Sequence, residues 1–462
     1  MTQQRQTQAW RDEFRAMLAL AWPLVGANLL QMAIYAVDVM FVARLGTVEF
    51  AAATLGVFMV SLVHWALIGL TTACAPIIAA EIGRKKHSVR EVRRTVRMTL
   101  WLSVIACLPF MALLHFGEAM LLFAGQDPQV SARAGDFLDV ILWVMIPSVM
   151  ANAMRAVAAA LGRQGWALGV TAVSLLIGIL GNWLLVFGNA GFPALGLEGS
   201  ALASVITGFA MLAAYFAIFA LDPKLSRYRL FGRWWRTEWK RMGEIVRLGT
   251  PIALGWTMEG ALFGGAAVLM GMIGVAEVAA HAVALNIAAL AFQVPLGVAQ
   301  AGTIRVGLAY GARDAAAIGR AGWTAIGVGT GFMASTALLI WIAPLLLISI
   351  YIDTAAPENA RTVKLAVDFL AIAAMFQLLD GCQVVAAGAL RGLQDTRVPM
   401  LIAGFGYWVA GFGTSILLGF YTPLAGVGIW IGLAAGLAVV SALLLRRWSR
   451  REALGLAPDS RG

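Results

Sequence analysis

The chain has 462 residues and a formal net charge of +10; 61% of its residues are hydrophobic and 13% are charged. Its mean hydropathy is +0.82. This composition excludes an ordinary soluble domain and is typical of an integral membrane protein. The positive charge indicates no nucleic-acid partner, because basic residues at the cytoplasmic face of a membrane protein, where they attract anionic headgroups, account for it.

Long apolar runs occupy most of the chain. We count twelve, and they start near residues 14, 50, 97, 134, 167, 198, 246, 277, 320, 365, 398 and 424. Each is close to the roughly 20 residues that a helix needs to cross a bilayer, whereas barrel strands are shorter and alternate in polarity. The sequence therefore predicts an all-α integral membrane protein with twelve transmembrane helices. Cys74, Cys107 and Cys382 lack the paired spacing of a disulfide framework or a zinc site.

The second half of the chain repeats the first. Residues 228 positions apart are identical at several places, and the pairs include Pro23 and Pro251, Gly46 and Gly274, and Glu49 and Glu277. Six spans in each copy predict two six-helix bundles, related as parallel repeats by a pseudo-twofold axis along the membrane normal. This arrangement is typical of transporters that work by alternating access around a central cavity.

The basic residues define a topology and a domain plan. Arginines and lysines collect in alternate loops, which predicts a multi-pass protein of the bacterial inner membrane with both termini in the cytoplasm. The plan comprises a cytoplasmic N-terminal tail (1–13), an N-lobe of six helices (14–220), a basic cytoplasmic linker (221–245), a C-lobe of six helices (246–446) and a cytoplasmic C-terminal tail (447–462). Basic residues interleaved with tryptophans at 224–247, Trp234 among them, predict an interfacial linker helix.

Three carboxylates lie within the apolar runs, where a charge costs about 2.5 to 3.5 kcal/mol. Glu259 and Asp380 fall 12 residues after Arg247 and 11 residues before Arg391, so we expect them at similar depths in the C-lobe. Asp38 belongs to the outer part of the N-lobe. A buried carboxylate can bind a cation, carry a proton or join helices by hydrogen bonds, and Asp38 has the further alternative of pairing with Arg44.

Neutral polar residues add weaker candidates. Gln31, which the repeat aligns with Glu259, and Asn182 are candidates for lining a substrate cavity, with helix-to-helix hydrogen bonding as the alternative. Glu81 and Glu118 are interpreted as residues at the ends of spans, in contact with water.

The chain resembles the multidrug and toxic compound extrusion (MATE) transporters, most closely their NorM-like bacterial branch. The resemblance covers nearly the whole sequence and rests on these segments: WPLVGANLLQ and VDVMFVARLG in the first run, TPIALGWTMEG at 250–260, AEVAAHAVALNIAALAFQVPLGVAQAGTIRVGLAYGAR at 276–313, and LLDGCQVVAAGALRGLQDT at 378–396. It implies a twelve-helix antiporter that exports mostly cationic, amphipathic compounds in exchange for Na⁺ or H⁺. We expect a monomer without a cofactor.

The same resemblance implies roles for particular residues. Glu259 and Asp380 match the cation-site positions, where Na⁺ is a possible ligand, and Asp38 matches the N-lobe acid. Phe376 replaces a tyrosine that Na⁺-binding relatives often carry one turn before the acid, and it is a candidate for the substrate cavity. Val186, one turn after Asn182, likewise replaces a second polar residue of some relatives. The coupling ion therefore stays open between Na⁺ and H⁺.

Two other functions fit the sequence less well. A flippase for lipid-linked oligosaccharides, of related two-lobe fold, would be expected to carry basic residues that bind the diphosphate, and the spans are nearly free of them. An intramembrane enzyme would need clustered metal ligands or a nucleophile with its base. His64, His87, His115 and His281 are instead scattered along the chain, so we expect no enzymatic activity.

Overall fold

The computed structural model describes residues 2–84, 88–230, 232 and 235–457, so His87 and Trp234 lie outside the described residues. The described part of the first half forms nine α-helices: α1 (Thr2–Val42), α2 (Thr47–Thr72), α3 (Cys74–Arg84), α4 (Ser88–Leu114), α5 (Gly117–Phe123), α6 (Pro128–Ile141), α7 (Met145–Ala160), α8 (Gly165–Leu185) and α9 (Gly196–Leu221). Because α1 begins at Thr2, the described residues of the predicted N-terminal tail are already helical.

The second half is helical in the same way. Its described residues form eight α-helices: α10 (Trp239–Ile273), α11 (Val275–Gly311), α12 (Ala315–Ile342), α13 (Pro344–Ile348), α14 (Ala360–Gly392), α15 (Arg397–Gly404), α16 (Gly413–Phe420) and α17 (Gly426–Ser449). A π-helical segment, Phe405–Phe412, joins α15 to α16. Short 3₁₀ turns occupy Leu142–Val144, Asn189–Gly191, Ser226–Tyr228 and Pro357–Asn359.

Twelve stretches of the described chain are long and apolar enough to cross a membrane, which confirms the predicted all-α fold with twelve transmembrane helices. They begin at residues 6, 47, 88, 128, 165, 196, 239, 275, 315, 357, 397 and 426. Corresponding stretches of the two halves have similar lengths, for example 37 and 35 residues for the first and seventh, and 38 and 37 for the second and eighth. The helix lengths thus follow the internal repeat.

The connection between the halves differs from the predicted linker helix. Residues 224–238 form a single 3₁₀ turn and irregular chain where they are described, and helix resumes only at Trp239. Asp222 ends α9 and accepts hydrogen bonds from the backbone N–H groups of Lys224 (2.9 Å) and Leu225 (3.3 Å). This turn competes with helix, and Pro223 cannot supply an N–H to continue one. The prediction was therefore wrong for the first part of the linker.

The Asp222 carboxylate also fastens α8 to the end of α9. The indole N–H of Trp166 donates to it at 3.0 Å, and the Arg163 guanidinium donates at 3.1 Å. The Trp166 bond, the Lys224 and Leu225 backbone donors and the charge of Arg163 together hold the pKa of Asp222 below its ordinary value.

The chain divides into two compact units that do not coincide with its two halves. One unit, here the N-unit, is Gly26–Ala253; the other, the C-unit, combines Met1–Val25 with Leu254–Gly462. Helices α1 and α10 therefore each contribute one segment to each unit. Both divisions fall two residues after a proline inside the helix, Pro23 in α1 and Pro251 in α10. The matched prolines of the repeat thus mark equivalent points in the two units.

Within the C-unit, α14 packs against α11, α12 and α17. The N-terminal segment of α1 is joined to α11 by a buried carboxylate, because Glu13 accepts hydrogen bonds from Nε (2.9 Å) and Nη2 (2.5 Å) of Arg305. A side chain at Gly411 of the π-helical segment would meet the Gly436 Cα of α17 at 3.3 Å. Small residues are required where backbones approach this closely, and this packing fixes the π-helical segment.

Within the N-unit, apolar side chains from α2, α6, α7 and α9 form a buried core around Leu67, Phe137, Met145 and Ala201. The start of α10 is held against this unit by ion pairs. The carboxylate of Glu238, just before α10, binds both Arg94 and Arg97 of α4.

A second group of ion pairs holds the first turn of α10. Arg241 binds Glu91 of α4 and lies 3.6 Å from Glu81 of α3, which Arg84 also contacts at 3.3 Å. Glu81 is thus 9% exposed and paired, so its interpretation as a residue in contact with water was wrong. Glu118 is exposed, as expected.

Candidate functional site

The C-unit brings the two predicted acids of the C-lobe together. Glu259 lies on α10 and Asp380 on α14, and Gln383 lies one turn after Asp380 on the same helix. The Nε2 amide of Gln383 donates to Glu259 Oε1 at 3.1 Å and to Asp380 Oδ1 at 3.1 Å. One neutral side chain therefore bridges both carboxylates. Asp380 and Gln383 are buried, and Glu259 is half-buried.

Tyr407 sets the orientation of this bridging amide. Its hydroxyl donates to Gln383 Oε1 at 3.0 Å, which leaves the N–H groups of the amide directed at the carboxylates, and it also contacts Glu259. Tyr407 lies in the π-helical segment Phe405–Phe412 and is 2% exposed. A π turn widens the helix locally and redirects its side chains, and such turns are frequent at functional sites.

A guanidinium partly balances the charge of the acid pair. Arg391, in the last turn of α14, interacts electrostatically with Glu259, and its Cζ lies 5.8 Å from the centre of the Trp256 ring. The sequence indicates Arg391 only as a marker of the membrane border and gives no basic partner for these acids. With both carboxylates ionised, two negative charges face one positive charge. The cluster then has one excess negative charge, which favours a monovalent cation or a proton.

The N-unit holds a different acidic site. The two carboxylate oxygens of Asp38 accept hydrogen bonds from Asn182 Nδ2 at 2.7 Å and from Ser204 Oγ at 3.0 Å. These donors come from α8 and α9, and the alternative pairing of Asp38 with Arg44 is not observed between these described residues. Asn182 Nδ2 also donates to the Gly178 carbonyl at 2.9 Å.

One oxygen of the N-unit site has no partner. Asn182 is fully buried, and its Oδ1 atom accepts no hydrogen bond from the described residues. A buried, unpaired acceptor is costly unless a donor or a cation reaches it. Because Asn182 Nδ2 faces Asp38, this oxygen could join the carboxylate in holding a cation only after the amide turns.

The fourth span contains a basic residue, because α7 continues to Ala160 and includes Arg155. Its guanidinium donates to Asn28 Oδ1 at 3.3 Å and interacts electrostatically with the hydroxyls of Tyr35 and Tyr215. The helix extends past Arg155 because it has no breaking residue before Gly162.

The other predicted residues lie away from these hydrogen-bond networks. Gln31 is half-buried on α1, and its side chain makes no hydrogen bond to the described residues. Phe376 is 1% exposed and packs against the rings of Phe263 (6.0 Å) and Trp430 (5.5 Å). Val186 is buried. The side chains of Phe376 and Val186 contain no oxygen, so neither residue can supply a side-chain ligand to a cation. Across the described ranges no group of three or more His, Cys, Asp or Glu side chains is placed to hold a metal ion.

Comparison with known proteins decides the family. The MatE family model matches residues 23–184 and again 251–417, once for each copy of the repeat. The chain belongs to the MatE family. The matched ranges correspond to the two halves in which the sequence resemblance was recognised.

Two curated relatives of this MatE protein agree with the NorM-like branch. A probable multidrug resistance protein NorM of Mesorhizobium japonicum is 48% identical over 443 residues, which is 96% of this chain and 95% of the relative. A probable NorM of Brucella suis biovar 1 is 43% identical over 444 residues, 96% of this chain and 94% of the relative. The crystal structure of a MATE protein has a TM-score of 0.86 with 20% identity, covering 96% of this chain and 97% of that one. That likeness shows a shared fold.

The sequence indicates the acids but not the residues that hydrogen-bond to them, orient their partners or balance their charge. Gln383, Tyr407, Ser204 and Arg391 are all within apolar helices, where neutral polar residues are common and an arginine at a helix end is expected. One signal was available, because Gln383 follows Asp380 by three residues and must share its helix face. Tyr407 gave no such signal, since the π turn that orients it has no distinctive sequence pattern here.

Proposed function

We propose that this MatE protein is a secondary active multidrug efflux antiporter that exports cationic, amphipathic compounds in exchange for Na⁺ or H⁺ by alternating access. The observation that carries the proposal is the acid pair of the C-unit, in which Glu259 and Asp380 share one amide and face a single guanidinium. Its excess negative charge attracts either a cationic drug or the coupling ion. Competition between the two for the same carboxylates couples their movements in opposite directions.

The coupling ion must displace the amide bridge before it can occupy the space between the acids. In the bridged arrangement Gln383 presents N–H groups to Glu259 and Asp380, and N–H groups repel a cation. Rotation of the amide by half a turn would direct Oε1 at the acids and the N–H groups at the Tyr407 hydroxyl. We therefore propose that Gln383 bridges the unloaded acids and turns, or moves aside, when Na⁺ binds. A proton requires less change, because a protonated carboxyl group can donate to its neighbour.

The N-unit supplies a second ion site in this proposal. Once the Asn182 amide turns away from its bond to Asp38, a cation gains the carboxylate and the otherwise unpaired Asn182 Oδ1, while Ser204 holds the other carboxylate oxygen. Carboxylate and amide oxygens are suitable ligands for a hard cation such as Na⁺, and a proton on Asp38 could instead donate to Asn182 Oδ1. Neutralisation lowers the cost of carrying these acids through a dry, occluded state.

The proposal also includes the orientation of the protein in the membrane and the class of its cargo. We propose that both termini lie in the cytoplasm of a bacterial inner membrane, and that inward movement of the ion gains roughly 2.3 kcal/mol per charge per 100 mV of membrane potential. The arginines within the helices do not favour a flippase. Arg155 donates a hydrogen bond to Asn28, and Arg391 interacts electrostatically with Glu259. A diphosphate group would need basic side chains that are not engaged in this way.

The proposal is tested by efflux of ethidium from proteoliposomes that contain the purified protein, with Na⁺ and pH gradients imposed separately. Efflux driven by one gradient establishes antiport and identifies the ion. Protein-free liposomes under the same gradients give the passive leak. If neither gradient increases efflux above that leak, the proposed antiport of ethidium is wrong.

A further inference from the structure

A groove opens in the C-unit between the first turns of α1 and the middle of α12. Its volume is about 660 Å³, and the residues that line it are Thr7, Trp10, Arg11, Phe14, Arg15, Thr324, Gly327 and Val328. This volume is within the range of about 300 to 1,000 Å³ that is typical of ligand sites. The groove is separate from the acids and uses none of the residues in the proposed antiport.

The α1 wall of the groove combines exposed aromatic rings with exposed arginines. Trp10 and Phe14 are 44% and 47% exposed, and Arg11 and Arg15 are also exposed. At 100° per residue, these four positions share one face of the helix, so the guanidinium groups border the apolar surface of the rings. Aromatic rings beside basic groups are typical of the membrane interface, where the rings meet lipid and the charges meet headgroups.

These arginines are available for an anion. No acidic side chain of the described residues forms an ion pair with Arg11 or Arg15. The carboxylate of Glu13 lies on the opposite side of α1, where it is engaged by Arg305. Asp12 is exposed and lies about 100° around the helix from Arg11 and about 60° from Arg15, but it forms no ion pair with either guanidinium. The face that lines the groove is therefore positively charged.

The α12 wall contributes an apolar floor. A Cβ atom at Gly327 would meet no other atom within 4 Å, so this exposed glycine leaves open space beside Val328. The absence of a side chain at this position lets an extended hydrocarbon chain lie against the helix. The groove thus combines an apolar channel with two basic groups along one edge.

We infer that this groove binds an anionic phospholipid, with its phosphate at Arg11 and Arg15 and one acyl chain along Phe14, Gly327 and Val328. The α1 wall includes part of the predicted cytoplasmic tail, and the α12 wall belongs to the half of the ninth span that follows a predicted cytoplasmic loop. Anionic lipids are enriched in the leaflet on that side. A zwitterionic lipid offers the same acyl chains but no net charge to the two guanidinium groups. The site therefore selects phosphatidylglycerol over phosphatidylcholine.

The test is a titration of the detergent-solubilised full-length protein with phosphatidylglycerol or phosphatidylcholine, with bound lipid counted by native mass spectrometry. We expect tighter binding of phosphatidylglycerol, and about tenfold weaker binding of it to the Arg11→Gln/Arg15→Gln variant. The matched control is Arg90→Gln/Arg93→Gln, which removes the same charge from two α4 residues that form no ion pair with the described residues. Equal affinity for the two lipids, or an equal loss in the control variant, would overturn the inference.

A second pair of variants tests the groove without changing charge. Gly327→Leu fills the channel, whereas Gly331→Leu adds the same side chain one turn further along α12, outside the groove and in equally open space. Leucine favours helix more than glycine does, so both variants should fold. We expect several-fold weaker phosphatidylglycerol binding only for Gly327→Leu. Equal binding by both variants would show that the lipid does not occupy the groove.

Discussion

The acidic sites of the two units both hold a carboxylate with an amide N–H group, but they differ in the partner of that amide's oxygen. In the C-unit, Gln383 directs N–H groups at Glu259 and Asp380 and thereby covers an oxygen of each acid. In the N-unit, the donors at Asp38 leave the Asn182 Oδ1 atom buried and unpaired. Donors therefore cover the acids of both sites, but the amide oxygen is paired with Tyr407 in the C-unit and has no partner among the described residues in the N-unit.

The difference indicates how duplicated lobes acquire distinct tasks. We expect both amides to turn or move aside when a cation binds. Turning Gln383 must exchange the hydrogen bond that its oxygen accepts from Tyr407, whereas the Asn182 oxygen has no such bond to exchange. The repeat aligns Gln31 with Glu259, but Gln31 lies outside the Asp38 network. The two units therefore place their acids at positions that the repeat does not align.

The largest effect should follow removal of the C-unit charges. We expect the Glu259→Gln/Asp380→Asn variant to lose gradient-driven ethidium efflux by about a hundredfold, because no carboxylate then remains in that unit's site to attract a cation. Proteoliposome efflux at equal protein content measures the loss. Glu118→Gln, which removes an exposed acid, is the control and should export normally. Full export by the double variant would show that these acids are not the cation site.

A smaller loss should follow the corresponding change in the N-unit. Asp38→Asn keeps the size of the side chain and can still accept from Ser204, but it removes the charge, and we expect efflux to fall by about tenfold. The same efflux assay measures it. Ser204→Ala, which keeps the acid, should have the milder effect. If Asp38→Asn lowered export as much as the double variant, the two sites would not be functionally distinct.

A further variant removes only the Gln383 amide that bridges Glu259 and Asp380. Gln383→Leu leaves Glu259 and Asp380 facing each other without a shared donor, so their repulsion should favour binding of the coupling ion. We expect the half-saturating ion concentration for transport to fall by about threefold, as one hydrogen-bond donor is lost. Transport rates over a series of ion concentrations measure this value.

The control for this prediction lies on the same helix. Gln377 is also buried on α14, but it accepts a hydrogen bond from Thr336 (3.2 Å) and does not bridge the acids. Gln377→Leu should therefore leave the half-saturating concentration unchanged. Tyr407→Phe frees the Gln383 amide to rotate. This variant should lower the half-saturating ion concentration less than Gln383→Leu does. An increase in either Gln383→Leu or Tyr407→Phe would contradict the proposed role of the amide.

The smallest effect concerns stability outside the ion sites. Because the pKa of Asp222 is lowered in the folded state, its contribution to stability is present above the unfolded-state pKa of about 4 and is lost as the pH falls through the folded-state pKa. Asp222→Asn should therefore lower the Tm slightly at pH 7, and the difference should shrink at pH 3. Thermal unfolding of the purified protein at both values measures it. The control is Asp368→Asn, because Asp368 is exposed and forms no ion pair with the described residues. A deficit of Asp222→Asn that persisted at pH 3 would mean that charge is not the cause.

The sequence predicted features that depend on hydropathy and repetition, and it missed those that depend on helix rotation. Twelve spans and the repeat followed from apolar runs and from identical residues at one offset, such as Pro23 and Pro251. Glu259 and Asp380 were identified because charge is rare in apolar runs. Gln383 and Tyr407 were not, since their meeting depends on how α14 and the π-helical segment turn towards each other. The prediction of a linker helix was wrong for the first part of the linker because Asp222 and Pro223 form a local turn.

The division of α1 and α10 between the units also affects how the protein is made. The first 25 residues leave the ribosome long before Leu254–Gly462, the remainder of their unit, has been synthesised. The C-unit therefore cannot be completed until translation is nearly finished, although its first segment is the first to be inserted. A chain cut in the connection between α9 and α10 would give two fragments, neither of which contains a whole unit. Each fragment would need the other in the same membrane to complete its fold.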